Sequence, residues 1–188
     1  MTCVVAVEHA SSVWIGADSA GVSGWSLTVR SDEKVFTNGP FVMGFTSSFR
    51  MGQLLRYNFT PPARVEDVDD ARFMTSTFVD AVRACLKTGG FAKTTDGREE
   101  GGSFLVGYRG HIYEIGSDFQ VGRPADPFAA VGCGADIALG ALYAVAAKPP
   151  ATRIQVALEA AERFSAGVRA RFRRRRRDTT PRQSAARR

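Results

Sequence analysis

The chain of 188 residues has little cysteine, three in all, and only two histidines. Cys3, Cys85 and Cys133 are an odd, scattered set without paired metal-ligand spacing. That excludes a disulfide framework and a zinc knuckle, and fits reduced thiols in a cytoplasmic protein. No run of eighteen apolar residues occurs, so no segment reads as a membrane span. The opening Met1–Glu8 lacks a basic region and meets an acid early, unlike a signal peptide. Gly132-Cys133-Gly134 lacks the rest of a dinucleotide fingerprint, and no phosphate-cradling loop stands elsewhere. No metal or organic cofactor is expected.

Arginine is plentiful, and it is concentrated at one end. Residues 171–188 hold nine arginines against one acid, Asp178, a net of +8; the whole chain carries +6, so residues 1–170 carry 6 − 8 = −2. The reading is a mildly acidic domain over 1–170 and a basic tail over 171–188, expected to be disordered. Nucleic acid contact would be confined to that tail, through Arg173–Arg177.

Thr2–Val7 reads as a strand and Val13–Ala17 as its hairpin partner, with Ser19–Trp25 a loop. Strands near Glu33–Thr37 and Phe41–Thr46 follow. A helix capped by Ser47 or Ser48 then runs to about Asn58. A second spans roughly Val65–Thr88, where Met74, Phe78, Val82 and Leu86 make an apolar stripe. Ser103–Tyr108 and His111–Ile115 form another hairpin, and a strand ends at Ala129–Val131. Gly132–Gly134 opens a helix to about Ala147, and a Thr152/Gln155 capping box starts the last one. Strands, two helices, strands, two helices argue an α+β fold with antiparallel sheets. The economical burial of both sheet faces is a four-layer α-β-β-α sandwich.

The chemistry starts at the chain terminus. Initiator methionine is removed when the next residue is small, and Thr2 qualifies. A threonine hydroxyl beside its own free amine, with a pKa near 7.7–8.0, is a self-contained nucleophile and base. Asp18 lies sixteen residues on and Lys34 another sixteen. A lysine near the hydroxyl would stabilise its alkoxide, and Asp18 would keep that lysine charged and oriented. Gly44, in Val42-Met43-Gly44-Phe45, could offer its N–H to an oxyanion or merely permit close strand packing. Cys3, next along the strand, points away from Thr2 into the core. His9 and His111, at hairpin turns far apart in sequence, read as surface residues.

With these residues in place, the sequence resembles the proteasome β-subunits. It is more similar still to the bacterial HslV-like, proteasome-related threonine peptidases of the N-terminal nucleophile (Ntn) hydrolase superfamily. The resemblance covers about residues 2–168 and implies the same four layers. Thr2, Asp18, Lys34 and Gly44 match the family's nucleophile, lysine-orienting acid, lysine and oxyanion donor. Cys133 stands where the family has the serine that bonds the catalytic amine, and a thiol is a poorer donor. The late Asp…Ser pair of proteasome β-subunits is not evident; Glu162 and Ser165 lie near its place and are left unassigned. The resemblance implies a threonine-type endopeptidase acting on polypeptides through a Thr2 acyl-enzyme. It also implies a homo-oligomeric ring, with room for an ATPase unfoldase partner and a substrate cleft along Gly21–Trp25 and Thr46. Three readings stand beside it: a catalytically inactive assembly or peptide-binding subunit, an Ntn amidase on a small amide and, last, a nucleic-acid-binding protein.

Overall fold

The structure, a computed structural model, describes residues 1–178. In chain order the first strands are β1 (Cys3–His9), β2 (Ser12–Ala17), β3 (Ala20–Ser23), β4 (Ser26–Val29), β5 (Val35–Asn38) and β6 (Phe41–Phe45). Helix α1 (Phe49–Gln53) runs on as a π-helical turn, Leu54–Asn58; α2 (Asp70–Phe73) continues through a second, Met74–Phe78, into α3 (Val79–Thr88). Then come β7 (Lys93–Thr95), β8 (Arg98–Glu100), β9 (Phe104–Tyr108), β10 (His111–Ile115), β11 (Val121–Gly122) and β12 (Phe128–Gly132). Helices α4 (Ala135–Ala144) and α5 (Pro150–Phe164) precede β13 (Arg173–Asp178).

One sheet has the order β12-β1-β2-β13 and the other β11-β10-β9-β6-β5, with every pairing antiparallel. The strand residues alternate between two buried layers. Cys3, Val5 and Val7 face α4 and α5 with Ile154, Leu158 and Ala161, whereas Val4 and Ala6 meet Val42, Leu105 and Ile112 between the sheets. A third layer under the other helices holds Phe41, Phe73, Phe78 and Tyr108. Helices, sheet, sheet, helices are the four layers expected. The Met74, Phe78, Val82 and Leu86 stripe is fully buried in that third layer.

Local chemistry explains where elements begin. Ser48 caps α1, its Oγ accepting the Arg50 N–H at 3.1 Å. The second helix starts at Asp70 rather than Val65, because the Asp69 carboxylate accepts the Arg72 N–H at 2.8 Å. The Thr152/Gln155 capping box does not form. Helix α5 begins at Pro150, whose fixed φ suits a first turn, and Gln155 bonds Glu159 instead. The expected loop over Ser19–Trp25 is largely strand: β3 and β4 make a protruding hairpin with Trp25 at its exposed tip.

The largest correction concerns the basic tail. Arg173–Asp178 are not disordered but pair with the whole of β2, while residues 179–188 lie outside the described residues. Each face of this strand finds acceptors that composition does not reveal. Arg175 bonds Glu33 at 2.5 Å, Arg174 bonds the Ala151 carbonyl at 3.0 Å, and Arg176 lies over the Trp14 ring at 5.1 Å.

Phe41, fully buried against Phe78 and Tyr108, anchors the third layer. Replacing it with Ala should cost about 3–5 kcal/mol of stability, read from urea denaturation.

Candidate active site

The antiparallel pairings bring four chain segments to one end of the sandwich. Thr2 immediately precedes β1, Asp18 follows β2, Lys34 precedes β5 and Thr46 follows β6. Lys34 Nζ donates to Thr2 Oγ1 at 2.8 Å and to Asp18 Oδ1 at 2.8 Å. Asp18 is held from all sides: Oδ1 also accepts the Cys3 N–H at 3.0 Å, while Oδ2 accepts those of Ala20 at 2.8 Å and Arg169 at 3.3 Å. The ion pair is shut away from water, with the two side chains 1% and 0% exposed. Burial pushes the Lys34 ammonium below its ordinary range, and Asp18, by charge and hydrogen bond, pulls it part of the way back.

Thr2 itself is buried and doubly engaged, since its hydroxyl also donates to the Met1 carbonyl. Its N–H donates to Cys133 Sγ at 3.3 Å, and the thiol returns a contact to the Thr2 carbonyl at 3.4 Å. The structure thus places Cys133 against the Thr2 backbone, on both its N–H and its carbonyl. Gly132 makes room for that closeness: at φ 100°, a Cβ there would lie 2.2 Å from the Thr2 oxygen. Ser165 joins the cluster, its Oγ 3.5 Å from Cys133 Sγ. Glu162 does not reach Thr2, but accepts the Ala170 N–H at 2.9 Å and so steadies the segment that presents Arg169 to Asp18. Cys3 is no rival nucleophile, its buried thiol being pushed up to about 12.

Gly44 does not take its expected place. It lies in β6 with partners on both sides, which commits its N–H to the sheet, and a Cβ on it would meet Val4 at 2.6 Å and Ile15 at 2.8 Å. Close packing between the sheets demands this glycine. The cleft beside Thr2 is lined instead by Met1, Val22, Lys34 and residues 45–49. Ser47 stands out there in the left-handed backbone, at φ 61°. The Thr46 N–H bonds Ser103 O at 3.1 Å and the Ser48 N–H bonds Thr46 O at 2.6 Å, whereas among the described residues that of Ser47 has no acceptor. Its side chain is pinned by the Ser103 N–H at 3.1 Å. Ser47 carries no glycine signal, and the sequence offered it only as an alternative to Ser48 as the helix cap. Of the expected cleft segment 21–25, Val22 lines it and Trp25 does not.

Both histidines meet at the hairpin turns, where His9 and His111 share a pocket with Glu8 and Arg109. Among the described residues no group of three His, Cys, Asp or Glu is placed to hold a metal ion. No described helix is long and apolar enough to cross a membrane.

The fold has parallels among solved structures. The structure superposes on Thiobacillus denitrificans BPH in complex with epoxomicin with a TM-score of 0.78, at 20% identity, over 96% of this chain and 100% of that one. The chain has the proteasome-like Ntn fold. A eukaryotic HslV from Trypanosoma brucei shares it with a TM-score of 0.65 at 18% identity, over 93% of this chain and 98% of the other. Anbu, an ancestral beta-subunit from Yersinia bercovieri, does so with 0.64 at 15% identity, over 94% and 82%. No protein-family model and no curated protein matches the chain.

Two outcomes test this geometry. Gly44→Ala should lower stability by about 1–3 kcal/mol through overpacking between the sheets, read as a drop in melting temperature. The Lys34 amine, followed by NMR of its ε-carbon, should titrate below 10.5, and Asp18→Asn should move the midpoint lower still, because Asp18 is what raises it.

Proposed function

We propose that the protein is a threonine peptidase whose nucleophile is the Thr2 hydroxyl once Met1 has been removed. The observation that carries this is the Lys34 ammonium, 2.8 Å from Thr2 Oγ1 and held there by Asp18. A positive charge at that distance stabilises the alkoxide in a water-poor site. Removal of Met1 frees the hydroxyl proton from the Met1 carbonyl and turns the Thr2 amide into an amine. That amine takes the hydroxyl proton as Oγ1 attacks a peptide carbonyl carbon, and the Ser47 N–H receives the oxyanion. Collapse of the tetrahedral species breaks the C–N bond, with the proton passing to the leaving amine. Water then attacks the Thr2 ester carbon, giving its proton to the Thr2 amine; the C–Oγ1 bond breaks, the proton returns to Oγ1 and the acid is released. Cys133 and Ser165 orient the amine. By analogy with the HslV and BPH folds, the active unit is a homo-oligomeric ring admitting polypeptides to an inner chamber in the cytoplasm, with an ATPase unfoldase as a fitting partner.

A second reading, a non-catalytic assembly subunit, is favoured by Met1 itself: while it stays, the hydroxyl is tied to its carbonyl and the base does not exist.

Intact mass before and after an epoxyketone inhibitor separates the two. Loss of one methionine, with a covalent adduct and peptide hydrolysis that both vanish in Thr2→Ala, is the expected result. Thr2→Ser should keep part of the activity. Retained Met1 without an adduct would establish the assembly reading.

A further inference from the structure

The arginine strand borders one edge of the sandwich. β13 and β5 are the outermost strands of the two sheets on the same side, and β12 and β11 those on the other. Along the first edge Arg173–Arg177 are all exposed, and Glu33 answers only Arg173 and Arg175. Arg177 makes no salt bridge among the described residues, and the outer N–H and C=O groups of β13 face no described strand.

The opposite edge carries the other sign. Glu114 on β10, Asp118 in the turn after it and Asp126 ahead of β12 are all exposed, and none makes a salt bridge among the described residues. Arg123, three residues before Asp126, is turned to His111 at 2.6 Å. A basic edge and an acidic edge on opposite sides of one protomer cannot pair isologously, because like would then meet like. They match head to tail, and repeated head-to-tail contact closes a ring when the rotation allows.

We infer that copies of this chain associate edge to edge, the arginine strand of one against the acidic β10–β12 edge of the next. The inference rests on the ring reading above and names its contact surface. An outside polyanion would use the arginine strand but leaves the acidic edge without a role, so a second copy is the better-matched occupant. Charges in such a contact govern register and partner choice, and like-charge juxtaposition is strongly disfavoured.

Sedimentation velocity on the full chain tests this. The wild type should assemble at about 0.15 M salt and loosen at about 1 M, where screening shortens the Debye length to about 3 Å. Arg174→Glu with Arg177→Glu, or Glu114→Arg with Asp126→Arg, should each weaken association at least about tenfold. All four changes in one chain should restore it, because the edges again complement each other. The melting temperature of each variant monitors folding, and the salt dependence of the wild type needs no variant. An assembly indifferent to both reversals, or not rescued by their combination, would overturn the contact while leaving the ring reading in place. Unchanged assembly with lost retention on heparin would assign the strand to an outside polyanion and overturn it too. A wild type that stays monomeric at low salt would overturn both the contact and the ring.

Discussion

One buried carboxylate organises this molecule. Asp18 sits where water cannot solvate it, so its oxygens must be met by donors, and the chain supplies four. The Cys3 N–H brings the start of β1, Ala20 the hairpin beyond β2, Arg169 the segment after α5, and Lys34 the head of β5. An unpaired charge in that position would cost several kcal/mol, so the ion pair has to form as the fold does. The lysine gains a fixed position and direction, which a solvated ammonium lacks.

The sheets impose the remaining geometry. Because β1 and β2 run antiparallel, as do β5 and β6, the beginning of one strand in each pair lies beside the end of the other. That is how residues 2, 18, 34 and 46, well separated in sequence, reach one end of the sandwich. Two glycines let the layers close: Gly44 admits Val4 and Ile15 between the sheets, and Gly132 admits the Thr2 carbonyl beside Cys133. At the left-handed Ser47, beside the cleft, the backbone N–H has no acceptor among the described residues.

Much of this was legible beforehand. β-branched runs announced β1 and β2, the four-residue stripe announced the second helix, and Thr2, Asp18, Lys34 and Cys133 all arrive at one site. The misses have physical causes. A glycine in a strand signals either close approach or a donor to a ligand, and at Gly44 only the neighbouring layer, invisible in sequence, decides for packing. Ser47 was read only as an alternative cap to Ser48, because a left-handed φ is something a serine does not advertise. Arg173–Asp178 were misread because five like charges look self-repelling until Glu33, the Ala151 carbonyl and the Trp14 ring are seen beside them.

The order of strands in the first sheet also bears on synthesis. β1 lies between β2, made immediately after it, and β12, made far later, while β13 comes later still. Thr2 leans on Cys133, and Asp18 waits for Arg169. Domains begin folding from the N-terminus as they emerge, but pairings this distant in sequence must wait for their partners. The groups around Thr2 and Asp18 are thus completed only when β12 and the segment after α5 arrive, and an unfinished chain holds a threonine without them.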